Sequence, residues 1–338
     1  MVNNSGQFLP VQPLGKAADL AERWQSRLQP FWQQMTCAVL TTPDQVQLSY
    51  YCHLVPGAKN AVLISSGRME MAVKYAELCF ELVQAGYSVF LLDHRGQGLS
   101  QRELSNPHKG YIADFKLYQA DLAQFVGHVV MPSGHQRYIA LGHSMGCAIL
   151  AGYLQQYSHP FSATIFASPM LGIYTGLVPA RLAESIALAF GALNRAVTQE
   201  PWYFPGQSNY QEKAFNNNPL TGCAARYEWL LQRYRDQPQA QLGGVTTRWV
   251  SAAIRAMRQL KLSASHWRTP LLLLQAEADK VVSNHAQNLW YRQLPATLQH
   301  QLVRLPQARH EIFMETDHIR AQALNAINSF LATLPPQH

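Results

Sequence analysis

The chain has 338 residues with a formal net charge of +7, and 48% of them are hydrophobic, which is enough for a large core. No apolar run approaches the ~18 residues of a membrane span, and Met1–Gly6 has neither the basic start nor the apolar core of a secretory signal. Five cysteines without a CxxC pair disfavour a disulfide framework or a cysteine metal site, so we expect buried, reduced thiols in a cytoplasmic or membrane-peripheral protein.

The first third of the chain predicts an edge hairpin and the start of a parallel sheet. An amphipathic helical segment is expected up to about residue 35. The alternating runs Cys37–Thr41 and Val46–His53 are typical of an antiparallel hairpin at the edge of a sheet. The apolar run Ala61–Ser65 ends in Ser66-Gly67-Arg68, and Tyr87–Leu92 is a second buried strand after a helical stretch. Strand, helix and strand at this spacing predict parallel pairing with right-handed crossovers.

The most specific motif follows the apolar strand pattern Tyr138–Leu141. Gly142-His-Ser144-Met-Gly146 stands between that strand and a helical pattern that begins at Cys147. Strand, sharp turn and helix are typical of a nucleophile elbow, in which the serine adopts a strained conformation and glycines leave room on both sides. Such a turn presents the Ser144 hydroxyl to a base, and the helix behind it points backbone N–H groups at an anion.

The alternation of strands and helices stops after the strand Phe161–Ala167 and resumes at Pro270–Leu274. Only helical patterns and loops, rich in aromatic residues, lie between. We therefore predict an α/β fold with a mostly parallel sheet flanked by helices and an inserted helical cap. Residues 1–172 and 263–338 are the two parts of the α/β core, and residues 173–262 are the cap.

The positive charge is concentrated in this helical region. Between Ile173 and Arg268, eleven Lys and Arg residues stand against five Asp and Glu residues. A basic segment attracts phosphate-bearing partners, either nucleic acid or an anionic lipid surface, although an ordinary solvated face has the same composition.

A serine hydroxyl is a weak nucleophile at neutral pH and needs a base that a carboxylate orients. In folds with this elbow the order along the chain is serine, acid, histidine, and the last two stand on loops after late strands. Asp279 follows the strand Pro270–Leu274 and is the predicted acid, with Glu277 as a rival in the same loop. His310 follows the strand Gln299–Leu305 and is the predicted base.

The tetrahedral intermediate of such a reaction needs two hydrogen-bond donors for its oxyanion. The predicted donors are the backbone N–H groups of Met145, directly after the serine, and of Arg68, after the first parallel strand. The Arg68 side chain has two interpretations, either contact with a substrate phosphate or a surface pair with Glu70. His143 and His94, which neighbour these motifs, are expected to pack or to form hydrogen bonds rather than to react.

A family resemblance rests on these residues and on several neighbouring segments. The segments are Gly67-Arg68-x-Glu70, Val73-Lys-Tyr-Ala-Glu-Leu78, Asp93-His-Arg-Gly-Gln-Gly98, Gly142-His-Ser-Met-Gly146, Asn218-Pro-Leu-Thr221, Leu271-Leu-Leu-Leu-Gln-Ala-Glu277 and Ala308-Arg-His-Glu-Ile312. From about residue 45 to its end the chain resembles the α/β-hydrolase superfamily, in particular the group of monoacylglycerol lipases and bacterial lysophospholipases. The likeness is most specific to the family of lysophospholipases of the L2 type. Two positions depart from many relatives, Ser66 where they have histidine and Cys147 where they have glycine.

This resemblance implies hydrolysis of the remaining fatty-acyl ester of a lysophospholipid, with acyl transfer to phosphatidylglycerol at the inner membrane. We therefore predict a lysophospholipase that uses a Ser-His-Asp acyl-enzyme mechanism without cofactor or metal. Its expected partners are lysophospholipid and an anionic membrane surface, not nucleic acid, and its expected location is cytoplasmic and peripheral at the inner membrane. One alternative is a monoacylglycerol lipase or general carboxylesterase. Another is a non-catalytic lipid- or nucleic-acid-binding module on a hydrolase scaffold.

Overall fold

An eight-stranded sheet organises residues 8–335, which this computed structural model describes. The strands are β1 (Thr36–Thr41), β2 (Gln47–His53), β3 (Asn60–Ser65), β4 (Ser88–Leu92), β5 (Arg137–His143), β6 (Phe161–Ala167), β7 (Leu271–Ala276) and β8 (His300–Leu305). Their order across the sheet is β1-β2-β4-β3-β5-β6-β7-β8. β2 pairs antiparallel with β1 and β4, and the pairs from β4 to β8 are parallel, which confirms the mostly parallel sheet with an edge hairpin. The segment Met1–Gly6, on which the expectation about a secretory signal rests, lies outside the described residues.

Helices flank this sheet. They are α1 (Leu20–Arg23), α2 (Gln29–Gln33), α3 (Ala76–Gln84), α4 (Phe115–Phe125), α5 (Met145–Gln156), α6 (Ala180–Val197), α7 (Ala224–Asp236), α8 (Thr247–Ser263), α9 (Asn284–Tyr291) and α10 (Asp317–Ala332). The sequence analysis did not predict α9, which is short and begins after Ser283, whose hydroxyl accepts a hydrogen bond from the N–H of Ala286. Within residues 8–335, no helix combines the length and the apolar character that crossing a bilayer requires.

The central strand β5 shows how the sheet separates two core layers. All seven of its residues are buried, as expected for a parallel strand covered on both faces. Ile139 and Leu141 belong to the layer that contains side chains of α3 and α10. Tyr138 and Ala140 belong to the opposite layer, with side chains of α4, α5 and α8. The alternation fixes the register of β5, so its carboxyl end and Ser144 have a defined place at the sheet edge.

Between β6 and β7 the described chain forms the helices α6, α7 and α8, and no strand longer than an isolated bridge occurs there. α6 packs closely on α8, because a Cβ added to Gly191 would lie 2.3 Å from the Ser251 hydroxyl oxygen. α8 runs to Ser263, one residue past the expected boundary of the cap. The division into core and cap at residues 173 and 262 remains a prediction.

The basic charge of this region is only partly available to a partner. Arg226 is fully buried and pairs at 2.9 Å both with Glu77 of α3 and with Asp317 of α10, so it ties α7 to the core. Arg235 pairs with Glu212 and Glu228 at 2.7 Å on the surface. Other basic side chains of the region are exposed, including those of Arg181 and Arg195 on α6.

The five cysteines are free thiols, and four of them are buried as expected. Cys37 is exposed, contrary to the expectation, because β1 is an edge strand and most of its residues face solvent.

Candidate active site

Ser144 lies in the sharp turn between β5 and α5, with φ 51° and ψ −115°. This left-handed conformation is rare for serine and is typical of a strained functional turn. A Cβ on Gly146 would lie 2.0 Å from the carbonyl oxygen of Ser65, and one on Gly142 would lie 2.9 Å from the Cα of Cys147. Both positions therefore require glycine, because the end of β3 and the start of α5 pack directly against the turn.

The structure brings the three predicted catalytic residues into one hydrogen-bonded chain. Ser144 Oγ is 2.9 Å from His310 Nε2, and His310 Nδ1 is 2.7 Å from Asp279 Oδ2. The other carboxylate oxygen of Asp279 accepts hydrogen bonds from the backbone N–H groups of Val281 (2.7 Å) and Val282 (3.1 Å), which fix its orientation. All three residues are at least 93% buried. In this arrangement His310 can take the proton of the serine while Asp279 holds the imidazole in the required tautomer.

The rival acid does not occupy this position. Glu277 is exposed, and none of the hydrogen bonds or ion pairs found within residues 8–335 joins its side chain to His310. The geometry therefore favours Asp279 as the partner of the histidine.

The loop that carries His310 is held from two sides. From the core, Ser168 Oγ donates a hydrogen bond to the His310 carbonyl oxygen at 2.8 Å. From the helical region, the carbonyl of Leu220 accepts the Glu311 N–H at 2.8 Å, and the Arg309 guanidinium donates to the carbonyl of Thr221 at 3.0 Å. The Asn218-Pro-Leu-Thr221 motif thus contacts the histidine loop.

The predicted oxyanion loop is organised by a buried carboxylate. Glu70 is 4% exposed, and its Oε2 accepts hydrogen bonds from the Gly67 N–H (2.7 Å) and the Tyr75 hydroxyl (2.6 Å). The predicted surface pair of Arg68 with Glu70 is therefore wrong, because the Glu70 side chain points into the protein. The Arg68 and Met145 N–H groups donate to no protein acceptor among the hydrogen bonds of the described residues. Both remain available to a ligand.

The Arg68 side chain has polar and aromatic neighbours but no carboxylate. Its Nη1 donates to the carbonyl of Gly243 at 2.9 Å, and the guanidinium lies 5.6 Å from the centre of the Trp249 ring. No Asp or Glu within residues 8–335 forms an ion pair with it. Burial lowers the pKa of Arg68 to about 10, although Tyr118 and Tyr234 oppose this shift. An arginine desolvated without an anion is a candidate anion ligand.

A cluster of four charged side chains lies beneath the site. Lys74 Nζ is 2.9 Å from Glu70 Oε1 and also contacts Glu311, and His143 Nδ1 is 2.6 Å from Glu70 Oε1. Glu70, His143 and Glu311 lie close enough together to bind a metal ion. Lys74 already contacts both carboxylates, so the cluster has its own cation and we assign no metal to it.

The two neighbouring histidines form hydrogen bonds, as expected. His143 contacts Glu70, and His94 Nε2 is 3.0 Å from the Ser65 hydroxyl. The sequence analysis did not identify Lys74 or Glu311 as part of the site. Two signals in the sequence could have pointed to them. Glu311 directly follows His310, and Lys74 stands within an otherwise mostly apolar helical stretch.

The two departures from many relatives are accommodated. The Cys147 side chain is fully buried, and its sulfur is 3.5 Å from the carbonyl oxygen of Ala167. The Ser66 hydroxyl accepts a weak hydrogen bond from Gln97 Nε2 at 3.4 Å. The same amide donates to the carbonyl of Gly67 at 2.7 Å, which supports the oxyanion loop directly.

Comparisons with known proteins show which family and which fold this chain resembles. A family profile described as serine aminopeptidase, S33 matches residues 56–317. Lysophospholipase L2 of Escherichia coli K12 is 34% identical over 90% of this chain and 89% of its own length. A protein named Probable lysophospholipase L2 from Haemophilus influenzae is 31% identical over 90% of this chain and 95% of its own length. Among solved structures, a soluble variant of monoglyceride lipase from Saccharomyces cerevisiae has a TM-score of 0.67 at 19% identity, covering 89% of this chain and 97% of that one.

Proposed function

The chain belongs to the serine aminopeptidase S33 family of α/β hydrolases, and from this premise we propose that it is a lysophospholipase. The relatives named lysophospholipase L2, at 31% and 34% identity over most of the chain, support the substrate class. An aminopeptidase would need an unpaired carboxylate for the substrate ammonium group. The carboxylates of this site, Asp279, Glu70 and Glu311, all have partners.

The proposed reaction proceeds through an acyl-enzyme. Ser144 Oγ bonds to the acyl carbonyl carbon while His310 Nε2 takes its proton, and the N–H groups of Arg68 and Met145 donate to the oxyanion. Collapse of the tetrahedral intermediate breaks the ester bond, and His310 returns the proton to the departing glycerol oxygen. Water, deprotonated by His310, then releases the fatty acid and restores the serine. Asp279 orients the imidazole throughout.

The observation that carries the choice of lysophospholipid over monoacylglycerol is the partly buried Arg68 guanidinium without a carboxylate partner. Its backbone N–H is the proposed donor to the oxyanion, so its side chain starts beside the reacting ester. A glycerol backbone separates that ester from the phosphate of a lysophospholipid by roughly the length of an arginine side chain. We infer that the guanidinium contacts the phosphate, which a monoacylglycerol lacks.

Replacing Arg68 with methionine is expected to lower kcat/KM for lysophosphatidylethanolamine by about 10- to 100-fold, because a charge-assisted contact to phosphate is lost. The loss on monoacylglycerol should be at least about tenfold smaller, since the backbone N–H stays in place. Free fatty acid released from each substrate measures the ratio. The exposed Arg255 on α8 provides the matched control Arg255→Met, which should leave the ratio unchanged. Equal losses on both substrates after Arg68→Met would refute the contact with phosphate.

We further propose that the helical region 173–262 docks on an anionic membrane surface from the cytoplasmic side, peripheral to the inner membrane. α6 presents a row of exposed apolar side chains at helical spacing, and the preceding loop continues it. The exposed apolar residues are Ile173, Tyr174, Leu177, Val178, Leu182, Ile186, Leu193 and Val197. The exposed Arg181 and Arg195 stand on the same helix, and neither has an ion-pair partner in the described part of the chain. Apolar residues beside unpaired cations are typical of interfacial helices on anionic lipid.

Ile186 and Val39 are each 57% exposed, which gives a matched test of this surface. The substitution Ile186→Glu should weaken binding to phosphatidylglycerol-containing vesicles by about tenfold or more, through lost apolar burial and added repulsion. Val39→Glu, on the edge strand β1, should not change it. Co-sedimentation with vesicles measures both. Equal binding of the two variants and the wild type would exclude α6 as the docking face.

A panel of substrates distinguishes the remaining hypotheses about the reaction. The assay compares lysophosphatidylethanolamine, monoacylglycerol and an aminoacyl nitroanilide, with phosphatidylglycerol present as acyl acceptor. Faster cleavage of monoacylglycerol would favour a neutral-lipid lipase, and new acylated phosphatidylglycerol would establish the proposed acyl transfer. Absence of any turnover would favour a non-catalytic binding module.

A further inference from the structure

The two ring nitrogens of His143 face acceptors on both sides. Nδ1 is 2.6 Å from the carboxylate of Glu70, and Nε2 is 3.1 Å from the carbonyl oxygen of His310. A carbonyl oxygen cannot donate a hydrogen, and neither can an ionised carboxylate. Glu70 is ionised: burial raises its pKa, but the ammonium of Lys74, 2.9 Å from its carboxylate, is the largest of the charges that hold this pKa below the usual value. Both ring nitrogens must therefore carry hydrogen, so the ring is an imidazolium.

The surroundings compensate this buried positive charge. Glu70 and Glu311 supply two negative charges, and Lys74 with the His143 ring supplies two positive charges. Glu311 Oε2 lies 3.6 Å from His143 Nε2. Burial opposes protonation of His143, but the two carboxylates raise its pKa above the usual value. The ionisable groups that face the ring or its carboxylate partner Glu70 are Lys74, Tyr75, His94, Cys147, Tyr234, His310 and Glu311.

The hydrogen bonds of His143 join the two loops that the proposed reaction needs. Through Glu70, whose other carboxylate oxygen accepts the Gly67 N–H, it contacts the oxyanion loop. Through its Nε2 it contacts the backbone of His310 itself. Gly67 packs against the junction, because a Cβ there would lie 2.4 Å from Glu70 Oε1 and 2.9 Å from His143 Nδ1.

We propose that His143 is a positioning residue that acts as a buried imidazolium, donating from Nδ1 to Glu70 and from Nε2 to the His310 carbonyl. This bridge fixes the distance between the oxyanion donors and the base, and it places a positive charge next to the ring that must accept a proton. The ring centres of His143 and His310 are 4.9 Å apart. The expected effects on kcat and on the pH profile rest on the proposed ester hydrolysis, whereas the charge and the hydrogen bonds of His143 do not.

The substitution His143→Gln tests the bridge, because a neutral amide can donate to only one of the two acceptors at a time. We expect kcat for lysophosphatidylethanolamine to fall by about 10- to 100-fold, as for a small misplacement of catalytic groups, with KM changed by less than about threefold. The acid limb of the pH profile of kcat/KM should also move to higher pH by about one unit. Loss of the neighbouring positive charge makes protonation of the base easier, so activity appears only at higher pH.

His94 provides a matched control. It is also a fully buried histidine that forms a hydrogen bond near the oxyanion loop, but burial lowers its pKa to about 4, so it is neutral. His94→Gln should leave the acid limb in place, whatever its effect on kcat. A role of His143 in packing alone would lower kcat at every pH without moving that limb, and this result would overturn the inference.

Nitrogen NMR of the histidine-labelled wild type tests the charge without any variant that has to fold. At pH 8 both ring nitrogens of His143 should be protonated, with its resonances identified by their loss in His143→Gln or, if that variant is unfolded, by their proximity to Glu70. A single protonated nitrogen would overturn the inference even if the enzyme hydrolyses lysophospholipid. Conversely, a doubly protonated His143 in a protein without esterase activity would support the imidazolium and contradict the proposed function.

Discussion

Replacing Ser144 with alanine is expected to lower kcat for lysophosphatidylethanolamine by about 10⁴- to 10⁶-fold, the range seen when a triad nucleophile is removed. The expectation follows from the geometry around the hydroxyl. Ser144 directly precedes α5, and its hydroxyl oxygen lies 2.9 Å from His310 Nε2. The proposed oxyanion donors lie on either side of this oxygen. Without the oxygen no acyl-enzyme can form, and only positioning and electrostatic stabilisation remain. Release of free fatty acid by the purified variant measures the loss.

The control is Ser162→Ala, which removes a partly buried hydroxyl that donates to the carbonyl oxygen of Tyr138 at 3.2 Å. It should retain wild-type activity, and both variants should melt within a few degrees of the wild type. Retention of more than about one per cent of kcat by Ser144→Ala would contradict the assignment of Ser144 as the nucleophile.

Asp279→Asn is expected to lower kcat at neutral pH by about 10⁴-fold while the backbone stays in place. The asparagine carbonyl can still accept the N–H groups of Val281 and Val282, which now hold Asp279 Oδ1 at 2.7 and 3.1 Å. Its amide group would then face His310 Nδ1 and donate to it. That contact favours the tautomer with hydrogen on Nε2, which cannot accept the proton of Ser144.

Glu277→Gln is the matched control from the same loop. Because Glu277 is exposed, its amide variant should keep kcat within about twofold of the wild type. A larger loss in Glu277→Gln than in Asp279→Asn would reverse the choice between the two acids.

The elements that position the site could be predicted from the sequence because each has a local signature. The elbow combines an apolar strand, two glycines at fixed spacing and a helix, and the acid and base follow late apolar strands directly. These patterns depend on short segments, so they were readable without knowledge of tertiary contacts. The structure places Ser144, Asp279 and His310 in hydrogen-bonding contact, and their catalytic roles remain predictions.

The buried charge cluster could not be predicted in the same way. Its members come from three segments of the chain: Glu70 and Lys74 after β3, His143 at the end of β5, and Glu311 in the loop after β8. These segments meet only when the three strands take their places in the sheet. Their charges alone would suggest exposed positions, because lysine and glutamate are rarely buried unless paired.

The predicted surface pair of Arg68 and Glu70 is wrong because of the backbone conformation between the two residues. Met69, between them, has φ 64°, and this left-handed residue turns the chain. Glu70 consequently accepts the N–H of Gly67 inside the protein, whereas Arg68 extends to Gly243 in the helical region. Residue types and spacing do not reveal such a turn when no glycine or asparagine marks it.

Fluorophosphonate labelling with substrate protection tests the central claim most directly. The wild-type protein should acquire one adduct, which peptide mapping locates on Ser144, and excess lysophosphatidylethanolamine should slow its formation more than an equal concentration of monoacylglycerol does. Ser144→Ala should remain unlabelled. A wild type that turns over lysophospholipid without labelling at Ser144, or that carries the adduct on another residue, would contradict the account.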